Sequence, residues 1–264
     1  MRSSWRFWLI GAAVTYLGVV LLLPLSVLAL EAIRAGLGSV ARELASRQAL
    51  EALMLSLLVA FVAVLANSAF GIAAAIVLVR HRLPGRQMLD ALVDLSLSVS
   101  PVMIGLAMLL VFGRDGWLFG LTERWGLHVA FAVPGIILCT LFVTLPFTTR
   151  EVAYVLEEIG TDEEQVAATL GASPWQVFRR VTLPNISTGL RLGIVLTTAR
   201  ALGEFGAVLV VGGAITGKTE TATTFIYSAM EERRSAAALG MAMLLALLSM
   251  MLLTILTRLR RSHA

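Results

Sequence analysis

The chain is a series of long apolar runs separated by short polar interruptions. Five uncharged runs, 7–30, 52–79, 95–113, 129–149 and 235–257, each reach the length of a membrane span. A sixth, 192–213, is broken only by Arg200 and Glu204 near its middle. Crossing about 30 Å of hydrocarbon takes about 20 apolar residues as helix, and in lipid the backbone must satisfy its own hydrogen bonds. The pattern therefore predicts an all-α, polytopic membrane protein with about six spans. Six spans in 264 residues leave no room for a separate soluble domain, so 1–264 reads as one membrane-embedded domain. Arg2 and Arg6 precede the first run, but it is too long for a signal segment and lacks a small-x-small site before Glu31. It reads as a retained span.

One polar stretch, 161–184, TDEEQVAATLGASPWQVFRRVTLP, stands out from this background. Thr161 with Glu164 and Ser173 with Gln176 each fit a capping box, which satisfies orphan N–H groups at a helix start. Pro174 sits at a first helical position, where its missing N–H is harmless. Gly171 suits the positive φ of a helix exit. Leu183-Pro184 is expected to close the second helix. The prediction is two short helices folded over a glycine between spans.

Composition agrees: 58% hydrophobic, 14% charged and a mean hydropathy of +0.87 exclude a soluble globular domain. The net charge is only +4, and arginines gather at span ends, so the high pI reflects topology rather than nucleic-acid binding. Eleven Lys and Arg fall in loops on the side of 161–184 and eight on the other, so the positive-inside rule puts that stretch and both termini in the cytoplasm. Cys139 is the single cysteine, so no disulfide can form within the chain. His81, His128 and His263 have no metal-ligand spacing. No cofactor is expected.

Further residues interrupt the apolar pattern. Arg80-His81-Arg82-Leu83-Pro84-Gly85-Arg86 reads as a tight basic turn against lipid headgroups. Asp90 and Asp94 follow, placed to favour a helix N-terminal dipole. Ser96, Ser98, Ser100 and Pro101 inside one span predict a kinked or broken helix, facing either a packed neighbour or a water-filled path. Arg200 and Glu204 lie roughly 12 and 18 Å into their span. Either one unpaired there would cost at least ~2.5 kcal/mol. At i,i+4 they can pair with each other. Two readings stay open: a self-neutralising packing lock, or Arg200 on an anion path with Glu204 orienting it. Arg191 either joins that path or snorkels. Gly212, Gly217, Lys218 and Thr219 match G-x-x-x-x-G-K-S/T, and Ala207 to Val211 mimic a strand. Fewer than fifty residues follow, about half of them in the last span, and the topology places this loop outside. A phosphate-cradling loop needs a parallel sheet and a second acidic strand, so the match is a chance pattern.

The 161–184 stretch resembles the EAA loop of ATP-binding-cassette (ABC) importer permeases. Gln165-Val166-Ala167 occupy the EAA positions, Gly171 the glycine, Val181 the isoleucine position, and Leu183-Pro184 the ending. Gln165 and Val166 depart from the pattern, although Glu163 and Glu164 keep acid beside it. The segment from Arg200 to Val208, Ser100-Pro101-Val102 with Gly105, Thr144 to Phe147 with Arg150-Glu151, and Gly213 to Thr219 resemble the sulfate/thiosulfate and molybdate group of such permeases. The resemblance covers most of the chain from about Ala49 to Met230.

It implies a type I importer transmembrane domain whose 150–185 segment is a cytoplasmic coupling loop. It also implies a sulfate-type substrate, with a homodimeric molybdate or tungstate permease as the alternative; a stand-alone channel or intramembrane enzyme is the more distant one. The implied partners are two copies of an ATPase, a second and different permease, an extracellular or periplasmic anion-binding protein, and the bilayer, with no nucleic acid. No catalytic residue is expected in this chain. Glu164, Gln165, Val166, Ala167, Leu170, Gly171, Trp175, Phe178, Leu183 and Pro184 are the expected coupling residues. Gln165 can form no salt bridge, so apolar packing by Val166, Leu170, Trp175 and Phe178 must carry the docking. Ser98, Ser100, Pro101, Arg200 and Glu204 are the expected pathway residues.

Overall fold

The computed structural model describes residues 3–81 and 84–261. Arg2, Arg82, Leu83 and His263 lie outside the described residues. The described chain is helical, as the apolar runs require. Helix α1, Ser3–Arg34, leads to short α2, Leu37–Leu44, and long α3, Arg47–Arg80. Then come α4, Arg86–Ser98, α5, Pro101–Phe112, α6, Phe119–Arg124, and α7, Val133–Ile159. The polar stretch contains α8, Asp162–Thr169, and α9, Pro174–Val177, then a π-helical turn, Phe178–Thr182, and α10, Leu183–Asn185. The chain finishes with α11, Ser187–Leu202, α12, Gly206–Gly212, α13, Ala222–Glu231, and α14, Ser235–Arg261.

Among the described residues, four helices are long and apolar enough to cross a bilayer: Trp8–Arg34 within α1, α3, α7, and Ser235–Leu252 within α14. Two bent helix pairs are apolar enough to bring the number to six if each forms one span. Helices α4 and α5 meet at 111°, and α11 and α12 at 55°. The apolar run 95–113 is therefore a corner and not a straight span. Helix α7 outlasts its apolar run by ten residues, carrying Arg150 and Glu151 past the end of that run.

The core is built around α3, α7 and α11, whose buried faces are rich in small residues and threonines. Thr148 of α7 and Thr197 of α11 share a buried hydroxyl contact at 3.1 Å. Asn67 of α3 donates to Thr144 Oγ1 at 2.8 Å and to the Leu141 carbonyl at 3.1 Å. Small side chains let the backbones approach closely, and these polar groups find partners within the bundle, as a hydrocarbon setting demands; the buried Ser68 hydroxyl of α3 does not. Most leucines and valines of α1 stay exposed, as suits a helix whose solvent is lipid.

The two ends of α3 define two polar faces. Near its start, Gln48 donates to Glu220 at 3.0 Å and accepts from Arg234 at 2.9 Å, while Arg234 also reaches Glu43 at 2.8 Å. The Glu43 carboxylate pushes the Arg234 guanidinium above its usual pKa, against the opposing effect of burial, so it stays charged. At the other end Arg80 meets the end of α7 and the polar hairpin. Some 32 residues of helix separate these faces, roughly 48 Å.

Asp90 and Asp94 lie beyond the first turn of α4, so the expected helix-dipole role fails. Both hold Arg150 of α7, at 2.6 and 2.7 Å, pinning α4 alongside it. In the loop matching the nucleotide pattern, residues 207–211 are helical and not a strand. Thr219 is buried and donates to the Gly212 carbonyl at 2.7 Å, so its hydroxyl faces inward.

Candidate coupling hairpin and span junction

Helix α8 ends in a Schellman motif: Gly171 N–H bonds the Ala168 carbonyl at 3.0 Å, and Ala172 N–H the Ala167 carbonyl at 3.1 Å. Gly171 takes φ +87° with nothing within 4 Å of a would-be Cβ, so conformation and not space requires glycine. Helix α9 begins as the sequence predicts. Gln176 N–H reaches Ser173 Oγ at 3.4 Å, Ser173 N–H reaches Gln176 Oε1 at 2.8 Å, and Pro174 takes the first position.

Two expectations fail here. The Thr161–Glu164 capping box does not form. Thr161 Oγ1 accepts from the Gln165 amide at 2.8 Å, and Glu164 turns away from the cap. Nor does Leu183-Pro184 close a helix, for Leu183 is fully helical at φ −62°, ψ −44°. The chain widens into a π-helical turn, in which Leu183 N–H bonds Phe178 O, and so absorbs the proline. Helical turns therefore follow one another from Pro174 to Leu202, linking the hairpin mechanically to a span.

The hairpin has an outer and an inner side. On the outside Val166, Leu170 and Trp175 are exposed, Leu170 at 84%. Gln165 and Pro184 are also exposed, whereas Ala167 and Leu183 are half-buried. Phe178 is half-buried against Trp175, with ring centroids 5.4 Å apart. The inner side faces a cleft of about 580 Å³ lined by residues including Ile76, Arg80, Ala168, Val177 and Phe178. Glu164 points to this side. It accepts from Arg80 Nε at 3.1 Å and from Thr182 Oγ1 at 2.9 Å, and neighbouring Glu163 accepts from Asn185 at 2.6 Å. Arg80, read from sequence as facing headgroups, is in fact largely enclosed, with 12% of its side chain exposed.

The second constellation lies where the two bent spans touch. Ser100 and Pro101 open α5 after the 111° corner, and Pro101 takes the first helical position. Gly105 of α5 sits so close to α12 that a Cβ there would lie 2.8 Å from the Ala207 carbonyl. Gly206, at the start of α12, abuts Val102 and Pro101. Ser98 and Ser100 are exposed, and Ser98 Oγ donates back to the Asp94 carbonyl at 3.4 Å.

At the break between α11 and α12, Arg200 Nη1 lies 2.5 Å from Glu204 Oε2, an ion pair by distance though not aligned as a hydrogen bond. The Glu204 side chain is 1% exposed and that of Arg200 is 31% exposed. Glu204 Oε1 also accepts from Ala207 N–H at 3.1 Å, so this carboxylate caps the first turn of α12. Thr223 Oγ1 donates to the Glu204 carbonyl at 2.6 Å. A buried carboxylate thus fixes a partly open guanidinium at a helix break. Pro101 and Val102 meet Gly206 where α5 touches α12, two residues after Glu204 in the chain. The hairpin is a separate constellation, joined to this one by α11. Sequence reasoning missed Arg80 and Arg150; their partners lie 84 and 60 residues away in sequence, beyond the reach of any local pattern.

The comparisons with known proteins agree with this architecture. A family model described as "Binding-protein-dependent transport system inner membrane component" matches residues 67–262. Among relatives, the "Sulfate transport system permease protein CysW" of Synechococcus elongatus is 44% identical over 247 residues, covering 94% of this chain and 86% of that protein. The CysW protein of Escherichia coli K12 is 45% identical over 217 residues, covering 82% and 75%. The "Sulfate transport system permease protein CysT" of the same organism is 35% identical over 244 residues, covering 92% and 88%. Among solved structures, a bacterial ABC transporter that imports alginate superposes with a TM-score of 0.79 at 17% identity, covering 97% and 96%. That likeness shows the fold. By the extent of the family match and by these relatives, the chain belongs to the binding-protein-dependent transport system inner membrane components.

Proposed function

We propose that this chain is one of two permease subunits of an ATP-driven importer of sulfate or thiosulfate, and that it forms half of the anion path. The observation that carries the reading is mechanical: from Pro174 the exposed apolar hairpin continues through successive helical turns, with a turn residue at Ile186, into the bent span that carries Arg200. Val166, Leu170 and Trp175 dock on a separate ATPase, and movement of the hairpin shifts α11 and, through Gly105 and Ala207, α5. Arg200 faces the path, and Glu204 holds its orientation. Two ATPase copies and an anion-binding protein complete the assembly. The hairpin face is cytoplasmic, as the arginine bias supports, and so are both termini.

Relatives named for two distinct sulfate subunits, at 44% and 35% identity, favour a heteromeric sulfate system over the homodimeric molybdate permease. A periplasmic protein bound to the similar alginate transporter supports the anion-binding partner. The chemistry of ATP hydrolysis belongs to the ATPase chains. The test is ATP turnover by the reconstituted complex under increasing sulfate, thiosulfate or molybdate, each delivered by the binding protein. Stimulation by sulfate or thiosulfate is expected; stimulation by molybdate alone would contradict the substrate assignment.

A further inference from the structure

The hairpin is joined covalently to only two of the core spans. Gly160 ties it to α7, and the π-helical turn ties it to α11. Helix α3 is followed in the chain by α4 and not by the hairpin. Midway along α3, Asn67 hydrogen-bonds Thr144 and Leu141 of α7. Nearer the hairpin the packing is apolar and non-directional: Ala75 clusters with Val152, Leu156 and Ile186.

Arg80, the last residue of α3, supplies a directional link. Its Nη1 donates to the Leu156 carbonyl at 3.1 Å, Nη2 donates to the Gly160 carbonyl, and Nε donates to Glu164 Oε2 at 3.1 Å. The two carbonyls belong to the C-terminal turn of α7, where a cation is favoured by the helix dipole. Glu164 in turn accepts from Thr182 of the π-helical turn. One planar guanidinium therefore meets α3, α7 and α8 together and reaches the α11 rod through one carboxylate.

We propose that Arg80 is the positioning residue that makes α3 move with the coupling hairpin, so that a push on α8 is delivered to three core spans and not two. This rests on the permease reading above. Lysine offers a point charge without the fork and cannot keep carbonyl and carboxylate contacts in one plane. The geometry requires arginine, not positive charge alone. Glu164 thus acts on the inward side of the hairpin, away from the ATPase.

The test uses the full reconstituted complex carrying Arg80→Gln, Arg80→Lys or Glu164→Gln, with three readouts: co-purification of the ATPase, sulfate taken up per ATP hydrolysed, and spin-label distances between α3 and α8 with and without ATP. Arg80→Gln is expected to keep the ATPase bound but to lower sulfate per ATP by at least roughly tenfold, the size of losing one of its three charge-assisted hydrogen bonds. Arg80→Lys is expected to recover part of that loss, and Glu164→Gln to mimic it. The α3–α8 distance should stay fixed through the ATP cycle in wild type and change in Arg80→Gln. Unchanged sulfate per ATP in an assembled Arg80→Gln complex would overturn the proposal. So would loss of assembly in Arg80→Gln with normal coupling in both Arg80→Lys and Glu164→Gln, which would make Arg80 a folding residue. Failure of the permease reading looks different: the wild-type complex itself would move no sulfate, while the spin-label distances would still report whether α3 follows the hairpin.

Discussion

Gly105 and Ala207 bring the two bent spans into backbone contact: a Cβ on Gly105 would lie 2.8 Å from the Ala207 carbonyl and 2.9 Å from Val210 Cβ. Both neighbours are tied to α12 and cannot swing aside like a long side chain. Gly105→Val is therefore expected to force α5 off α12 while leaving the hairpin intact. Reconstituted complexes should retain the ATPase but lose most anion uptake, measured as labelled sulfate in vesicles. Wild-type uptake by this variant would mean that the junction plays no part in transport.

Gly171 separates conformation from bulk, because nothing surrounds it and only its φ of +87° restricts the side chain. Left-handed backbone costs roughly 1–2 kcal/mol for most L-residues and less for asparagine. Gly171→Asn should keep most of the sulfate-stimulated ATP turnover, whereas Gly171→Val should reopen the helix–helix angle and lose it. Equal turnover in both variants would remove the hairpin angle from the mechanism.

Arg200 and Glu204 make an asymmetric pair, one partly open and the other enclosed. Removing the arginine leaves a buried carboxylate whose Oε2 has no aligned hydrogen-bond donor, and an unpaired ionisable group in a span costs at least about 2.5 kcal/mol. Arg200→Ala is expected to insert and assemble yet abolish uptake. The double variant Arg200→Ala with Glu204→Gln should regain thermal stability in detergent without regaining uptake. Restored uptake in the double variant would mark the pair as a packing lock and not part of the path.

The outer hairpin side predicts a partner surface. Leu170→Asp puts a charge on the most exposed apolar position of the turn, and Trp175→Ala removes the ring that packs, tilted, against Phe178. Each should lower ATPase retention on purification at unchanged membrane insertion, read from the ratio of the two chains on a gel. Full retention in both would place the docking surface elsewhere.

Much of this was legible in the sequence because it is local. Uncharged runs gave the spans, Ser173 with Gln176 gave a cap, Gly171 gave the turn, and the i,i+4 spacing gave the Arg200–Glu204 pair. Ser98, Ser100 and Pro101 announced a break, though not one of 111°. Misreadings came where distant groups outbid local rules. Thr161 and Glu164 fit a capping box, but Arg80, 84 residues away, and Thr182 take the carboxylate. Pro184 suggested a helix end, but the bond from Leu183 N–H to Phe178 O carries the helix past it. Asp90 and Asp94 suggested a helix-dipole role, but α4 starts at Arg86, too early for it, and Arg150 of α7 takes both carboxylates.

The most direct test of the central claim is labelled-sulfate accumulation in vesicles holding this chain, its permease partner, the ATPase and the loaded binding protein, with and without ATP inside. The account predicts uphill accumulation that requires ATP and disappears with Leu170→Asp. Equal sulfate entry without ATP, or undiminished accumulation in that variant, would contradict it.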